Sequence, residues 1–191
     1  MTDTITDEQA TTVVVAGDTF TRAWRNALDV ADSCESYGNT VRVQVYAGRG
    51  LRLISTDAFI LLTQWVSSGG DDPGIDAEPD LTASVLDLNG LGRRFKHIIE
   101  VRLTFGAGVA IIQAEGATVT LPLNEADYPD WRKLFPTSTT KLSELPVWLS
   151  PYYLRRVCDL RGLDAESGID RWTRIRFHRP PAIRGEAMGP I

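Results

Sequence analysis

The feature that most constrains the fold of this chain is a repeated unit, in which a short helix with basic residues on its polar face precedes three strands. The middle copy of the helix spans Asn89–Ile99, with Asn89 as its predicted N-cap. Its apolar residues recur at i, i+4, i+7 and i+8, the spacing of a helix that packs one face on a core. Those apolar residues are Leu91, Phe95, Ile98 and Ile99, and the basic residues between them are Arg93, Arg94 and Lys96.

Two further copies of this helix are present. The first is capped by Asp18 and carries Arg22 and Arg25 between its apolar positions. The third is capped by Ser150 and begins with Pro151, which suits the first helical position because its missing N–H has no partner there. The arginines of the third copy are Arg155, Arg156 and Arg161. Because the same unit recurs, the chain is interpreted as a series of repeats rather than as separate helices and strands.

Each helix has one predicted strand before it, and the segments after it show the period-two alternation of half-buried strands. In Val41–Val45, valine alternates with arginine and glutamine. The unit is therefore β-α-β-β-β, present twice in full and once in shortened form. This pattern predicts an α+β fold with antiparallel sheets and helices on one face. We expect the two full units to share one core, because a helix on a small sheet buries too little surface alone.

The predicted domain organisation follows the repeats. Residues 1–11 are predicted to be disordered, residues 12–136 to form one domain of two full units, residues 137–144 to be a linker, and residues 145–191 to form half a domain. Residues 67–80, between the first two units, are rich in Gly, Asp and Pro and are expected to be too polar to pack.

Composition excludes several classes of protein. The 191 residues include no apolar run long enough to span a bilayer, so no membrane association is expected. The acidic, polar start does not fit a secretory signal. Two widely spaced cysteines suggest no disulfide framework, so a reducing cytoplasm is the expected compartment. The two histidines have no ligands at metal spacing, and no metal or other cofactor is predicted.

The charge distribution points to a localised basic surface. The net charge of the chain is −5, yet residues 20–28, 91–99 and 153–161 carry +2, +3 and +2, which leaves −12 for the remainder. Positive charge held on equivalent helices of an acidic protein is suited to binding phosphates at one surface while repelling them elsewhere. The alternative is that these arginines are ordinary solvated helix faces.

The repeat and four short segments, in order, resemble the bacterial beta sliding clamp, the processivity ring of DNA polymerase III. Residues 51–62, LRLISTDAFILL, are similar to the strand ending in Thr-Asp-Gly of the family's middle domain, with Ala58 in place of the glycine. Residues 128–136, YPDWRKLFP, resemble the signature that ends that domain. Residues 149–154 and 173–177 resemble the helix start and a strand of the last domain. The counterpart of the family's first domain is not found, and its Met-Pro tail is reduced to residues 188–191.

The resemblance implies that duplex DNA faces the three helices, and that polymerases or clamp loaders dock a hydrophobic peptide in a pocket between the middle and last domains. The implied DNA-binding residues are Arg22, Arg25, Arg93, Arg94, Lys96, Arg155 and Arg156. The implied pocket residues are Thr56, Ala58, Leu61, Pro136 and Met188. Thr56 and Asp57 are equally consistent with a tight turn between strands, since Asp favours turns. The tryptophans Trp24, Trp131, Trp148 and Trp172 are expected in the core rather than stacked on a ligand.

No nucleophile–base constellation or phosphate-binding loop occurs, so we do not expect an enzyme. The leading hypothesis is a sliding-clamp-like processivity factor that holds duplex DNA without reading its bases and that self-associates. The alternative is a clamp-mimicking module that binds a replication or repair protein without binding DNA, for example a viral or plasmid-encoded modulator. A further alternative is a structural domain whose clamp-like pattern is ancestry alone.

Overall fold

The computed structural model describes residues 10–31, 40–57, 60–74, 76–87, 91, 98–124 and 128–134, and all structural statements below concern these residues. The chain divides into two compact units, residues 1–128 with 160–162, and residues 129–159 with 163–191. The predicted limits of the linker and of the half domain stay predictions. In the described part of the second unit, a 3-10 helix spans Trp131–Leu134, and the Arg132 guanidinium lies 5.8 Å from the ring centre of Trp131.

The first unit contains one described α-helix and eight strands. The first repeat consists of β1 (Thr11–Ala16), α1 (Gly17–Ala31), β2 (Thr40–Tyr46), β3 (Gly50–Thr56) and β4 (Leu61–Ser67). The second repeat contributes β5 (Leu81–Leu86), β6 (Glu100–Gly106), β7 (Val109–Ala114) and β8 (Ala117–Pro122). Strand β2 extends the predicted Val41–Val45 by one residue at each end. No helix in the described ranges is long and apolar enough to cross a membrane.

The two repeats exchange their first strands. The first sheet has the order β1-β6-β7-β8 and the second has the order β4-β3-β2-β5, with every neighbouring pair antiparallel. Strand β1 therefore completes the sheet of the second repeat, and β5 completes the sheet of the first. The sheets also meet through an isolated bridge between Val85 and Leu123. Neither repeat can form its own four-stranded sheet, and both contribute to one hydrophobic core, as expected.

Helix α1 packs chiefly on β3 and β4, as its apolar stripe predicts. Phe20, Trp24 and Ala27 are completely buried. The helix begins at Gly17, so Asp18 lies inside the first turn rather than before it, where a carboxylate still favours the helix dipole. Glycine is required at the start, because a Cβ on Gly17 would lie 2.3 Å from the carbonyl oxygen of Ile98.

The predicted stripe of the second helix is wrong at Ile99. Leu91 is 1% exposed and Ile98 is half-buried, but Ile99 is 82% exposed. The carbonyl oxygen of Ile99 accepts a hydrogen bond from the Gly17 amide at 2.9 Å, and β6 begins at the next residue. The chain has already turned into the strand, so this side chain no longer follows the helical period. The rest of the predicted helix lies outside the described residues.

Residues 67–80 were expected to be too polar to pack, and none of the described residues of this segment is buried. The segment lies along the second sheet, where polar contacts rather than apolar burial hold it. The amides of Ser68 and Gly70 both donate to the carbonyl oxygen of Arg49, at 2.9 and 3.3 Å. The amide of Asp80 donates to the carbonyl oxygen of Val45 at 2.9 Å, while the Ala47 amide donates to Asp80 Oδ2 at 2.6 Å.

Candidate functional site

The described part of the chain contains four of the predicted site residues, and they form two separate groups. Arg22 and Arg25 lie on α1 and are half-buried. Thr56, at the end of β3, pairs with Leu61, at the start of β4. The structure thus brings together one pair of the predicted DNA-binding set and one pair of the predicted pocket set. The other predicted residues lie outside the described ranges: Ala58, Arg93, Arg94, Lys96, Pro136, Arg155, Arg156 and Met188.

All four charged residues of α1 fall on a single stripe. Asp18, Arg22, Arg25 and Asp29 are spaced at i, i+4, i+7 and i+11, which places them along one face of the helix. The two aspartates are exposed and lie at the ends of the stripe, while the half-buried arginines lie between them. The formal charge of this face is therefore zero. Counting residues 20–28 alone concealed this balance, because both aspartates lie just outside that range.

A buried carboxylate forms a hydrogen bond with α1. Asp87 follows β5, is 2% exposed, and accepts hydrogen bonds through Oδ2 from Trp24 Nε1 at 2.9 Å and from the Leu91 amide at 2.8 Å. The bond to Leu91 gives Asp87 a capping role in the segment where Asn89 was the predicted cap; Asn89 itself lies outside the described residues. Asp87 joins the helix of the first repeat to the start of the segment equivalent to it in the second.

The Thr56–Leu61 end of the second sheet is built around a side-chain-supported turn. Asp57 Oδ1 accepts a hydrogen bond from the Ile60 amide at 2.6 Å, and the Asp57 amide donates to the Ile60 carbonyl at 3.2 Å. The tight turn predicted at Thr56 and Asp57 is confirmed. Thr56 and Asp57 are buried, whereas Ile60 and Leu61 are half-buried. The turn therefore holds two partly accessible aliphatic side chains at one edge of the sheet, which is a surface suited to apolar contacts.

The face of the second sheet that carries Arg42, Gln44 and Arg52 is lined by cations and aromatic rings. Arg52 is 2% exposed, and its guanidinium lies 5.7 Å from the ring centre of Tyr46 and forms an ion pair with Asp72. Tyr46 packs edge-on against Trp65 at 5.6 Å. Sequence reasoning missed this cluster. The available signal was an arginine within the otherwise apolar run of β3, followed by an acidic segment.

Tyr128 covers another part of this face. Its hydroxyl donates to the carbonyl oxygen of Ile54 at 3.2 Å, and the Arg42 guanidinium lies 5.4 Å from its ring centre. The first residue of the 128–136 motif therefore has a packing role. Trp131, in the second unit, is 3% exposed, in agreement with its prediction as a core residue.

Two repeats that exchange first strands, share a core and, in the first, place a helix on the sheets have the fold of a sliding-clamp domain, and solved clamp structures have this fold. DNA polymerase III subunit beta from Borrelia burgdorferi is similar to this chain with a TM-score of 0.54 and 16% identity, covering 72% of this chain and 36% of that one. The beta subunit from the DNA polymerase of Streptococcus pyogenes is similar with a TM-score of 0.55 and 14% identity, again covering 72% and 36%. Both the predicted resemblance and the α+β, clamp-like fold class are confirmed.

This chain spans a little over a third of the length of the beta subunits to which it is similar. No protein-family model matches it, and no curated protein matches it by sequence. At identities of 14–16% the likeness establishes the fold alone. Function must therefore be argued from the residues of this chain.

Proposed function

We propose that this protein is a sliding-clamp-like processivity factor, which tethers duplex DNA without sequence preference and docks a hydrophobic peptide from a polymerase or clamp loader. The observation that carries the proposal is the duplicated, strand-exchanged clamp fold with arginine on its one described α-helix. The proposed role is binding rather than catalysis.

The proposed DNA contacts are electrostatic. Arg22 and Arg25 project from α1, and the resemblance assigns the same role to Arg93, Arg94, Lys96, Arg155 and Arg156. Guanidinium groups pair with phosphate oxygens, and such contacts position a duplex without reading its sequence. A tether that moves along DNA needs contacts of this kind, because a base-specific contact would hold it at one site.

The proposed peptide-docking surface begins at the Asp57 turn. Leu61 and Ile60 provide partly accessible aliphatic surface, and Thr56 lies opposite Leu61 in the sheet register. By resemblance, Ala58, Pro136 and Met188 are also assigned to peptide docking. Burial of an aliphatic side chain of a partner here would contribute about 1.5–3 kcal/mol. A short apolar peptide is the ligand class that fits.

We further propose that the protein self-associates. Within the described sheets, β1 and β4 each have one hydrogen-bonded neighbour, and such edges are usually covered in proteins. Light scattering coupled to size exclusion should give a mass above 21.1 kDa at tens of micromolar protein. A strict monomer at that concentration would contradict self-association.

Retention on closed circular DNA tests the tether directly. The protein should remain on closed circles through a low-salt wash and be lost from the same DNA after linearisation, because an enclosing tether slides off free ends. Equal loss from both forms would exclude encirclement. If binding is weakened by salt equally on both forms, the protein lies along DNA without enclosing it.

The second candidate function is a clamp-mimicking module that binds a replication or repair protein and does not bind DNA. The zero net charge of the α1 stripe favours this candidate, because Asp18 and Asp29 both oppose the binding of phosphates to this face. Arg93→Glu combined with Arg94→Glu separates the two functions. Under the first, salt-sensitive duplex binding is lost; under the second, partner binding is retained and the wild-type protein shows no duplex binding to lose.

A further inference from the structure

We infer that Asp18 and Asp29 act as built-in competitors for Arg22 and Arg25, so that α1 contacts DNA phosphates only at short range and releases them readily. This inference rests on the proposed function and assigns a regulatory role to residues that the resemblance does not mark. It reconciles the zero charge of the stripe with a clamp-like role for the helix.

The spacing of the four charges supports this competition. Along the helix axis each aspartate is offset from the nearer arginine by about 6 Å, and the two arginines are offset by about 4.5 Å. These separations are shorter than the Debye length of about 8 Å at physiological ionic strength. The field of each carboxylate therefore reaches the neighbouring guanidinium before salt screens it.

The position of Asp18 is fixed by local hydrogen bonds. Its Oδ1 accepts the Thr19 amide at 2.6 Å and the Thr19 hydroxyl at 3.3 Å. The carboxylate is thus held at the start of the helix, in line with Arg22 one turn further on. Asp29 is exposed one turn beyond Arg25. The two arginines therefore lie between two aspartates along the helix. Both carboxylates are spaced so that they compete with a phosphate for the neighbouring guanidinium.

The charges of α1 act differently on a distant duplex and on one in contact with the helix. At more than a Debye length from the helix, the two positive and two negative charges cancel, and α1 does not attract a duplex. At contact, the arginine side chains, which are longer and more flexible than those of aspartate, can turn towards a phosphate. Such a helix guides a duplex that other basic elements have already drawn in, and it adds little to the energy of holding it.

Neutralising both carboxylates tests the inference with the full chain. In Asp18→Asn with Asp29→Asn, the side-chain amide introduced at position 18 keeps an oxygen that accepts a hydrogen bond near the helix start, so α1 should fold normally. Affinity for a short duplex of arbitrary sequence should rise about fivefold near 0.1 M salt. The dependence of log K on log salt should become steeper, by less than about 2, because Arg22 and Arg25 then contact phosphates for more of the time.

The matched control is Asp71→Asn with Asp76→Asn, which changes the net charge equally at exposed sites outside α1. If the α1 variant gains much more affinity for the duplex than the control does, the result supports competition between the aspartates and DNA phosphates for Arg22 and Arg25. Equal gains in both variants overturn it, since net charge alone would then explain the effect. If wild-type, α1 variant and control all fail to bind duplex at low salt, the proposed DNA function is overturned together with this inference. Wild-type binding with an unchanged α1 variant overturns this inference alone.

Discussion

Trp24 and Asp87 lie 63 residues apart in the chain, and the indole Nε1 of the first donates to Oδ2 of the second at 2.9 Å in the buried core. The same oxygen accepts the Leu91 amide. One carboxylate thereby ties the helix of the first repeat to the start of the equivalent segment in the second. This contact adds a polar tie between α1, which carries the charged stripe, and the residue that follows β5.

Replacing Asp87 with alanine should lower the free energy of unfolding by about 2–6 kcal/mol, since it leaves two buried donors without this acceptor at about 1–3 kcal/mol each. Asp87→Asn retains an acceptor oxygen and should be less damaging. Urea unfolding followed by tryptophan fluorescence measures both. Asp29→Ala, at an exposed site on α1, serves as the control and should stay within about 0.5 kcal/mol. A similarly small loss in Asp87→Ala would show that this carboxylate does not hold the helix.

In the Arg52–Asp72 ion pair, loss of the carboxylate should destabilise the protein more than loss of the buried guanidinium. Asp72→Asn leaves the guanidinium buried without its carboxylate, and should lower the free energy of unfolding by about 1–3 kcal/mol, less than for a fully buried pair because Asp72 is 48% exposed. Arg52→Met removes the buried charge and keeps the aliphatic stem, so it should stay within about 1 kcal/mol of wild type.

Combining the two substitutions tests the explanation itself. Arg52→Met with Asp72→Asn should be more stable than Asp72→Asn alone, because the cation that needed a partner is gone. Additive losses would mean that each side chain acts through other contacts. Asp71→Asn, one residue away and exposed, is the control for the general effect of charge on this segment.

Local patterns predicted much of the fold because alternation and helical period are local properties. Val41, Val43 and Val45 alternate with polar residues, and β2 follows directly; the apolar spacing around Trp24 likewise places the buried face of α1. The exchange of first strands could not be predicted this way, since either pairing satisfies the same alternation. Ile99 was misplaced because the helical period was extended past the point where the chain enters β6.

The parts of the candidate site that depend on contacts between residues close in sequence could be predicted. Asp57 was recognised as a turn residue because an aspartate bonds to backbone a few positions away. Asp87 and Asp72 were not recognised, since their partners, Trp24 and Arg52, lie 63 and 20 residues away in sequence. The balance of charge on α1 was missed for a different reason: a count over a window omits the residues just beyond its ends.

Leu61→Ala should weaken binding of a hydrophobic clamp-binding peptide about tenfold, equivalent to about 1.4 kcal/mol, if the Asp57 turn presents the docking surface. Fluorescence anisotropy of a labelled peptide measures the change. Val109→Ala removes apolar surface from an equally half-buried position on the first sheet and should leave the affinity unchanged. Equal effects of the two substitutions would place peptide binding elsewhere. Duplex binding should not change in either variant.

Reversing the arginines of α1 separates a role in DNA binding from a solvated helix face. Arg22→Glu with Arg25→Glu should reduce duplex affinity and lower the salt dependence of log K by up to about 2, because at most two phosphate contacts are lost. Arg49→Glu with Arg102→Glu makes the same change in net charge at exposed positions away from α1 and should leave the salt dependence intact. Circular dichroism checks that both variants keep their helix. If the two variants bind duplex equally well, α1 does not face DNA, and its balanced stripe is better explained as a surface for a protein partner.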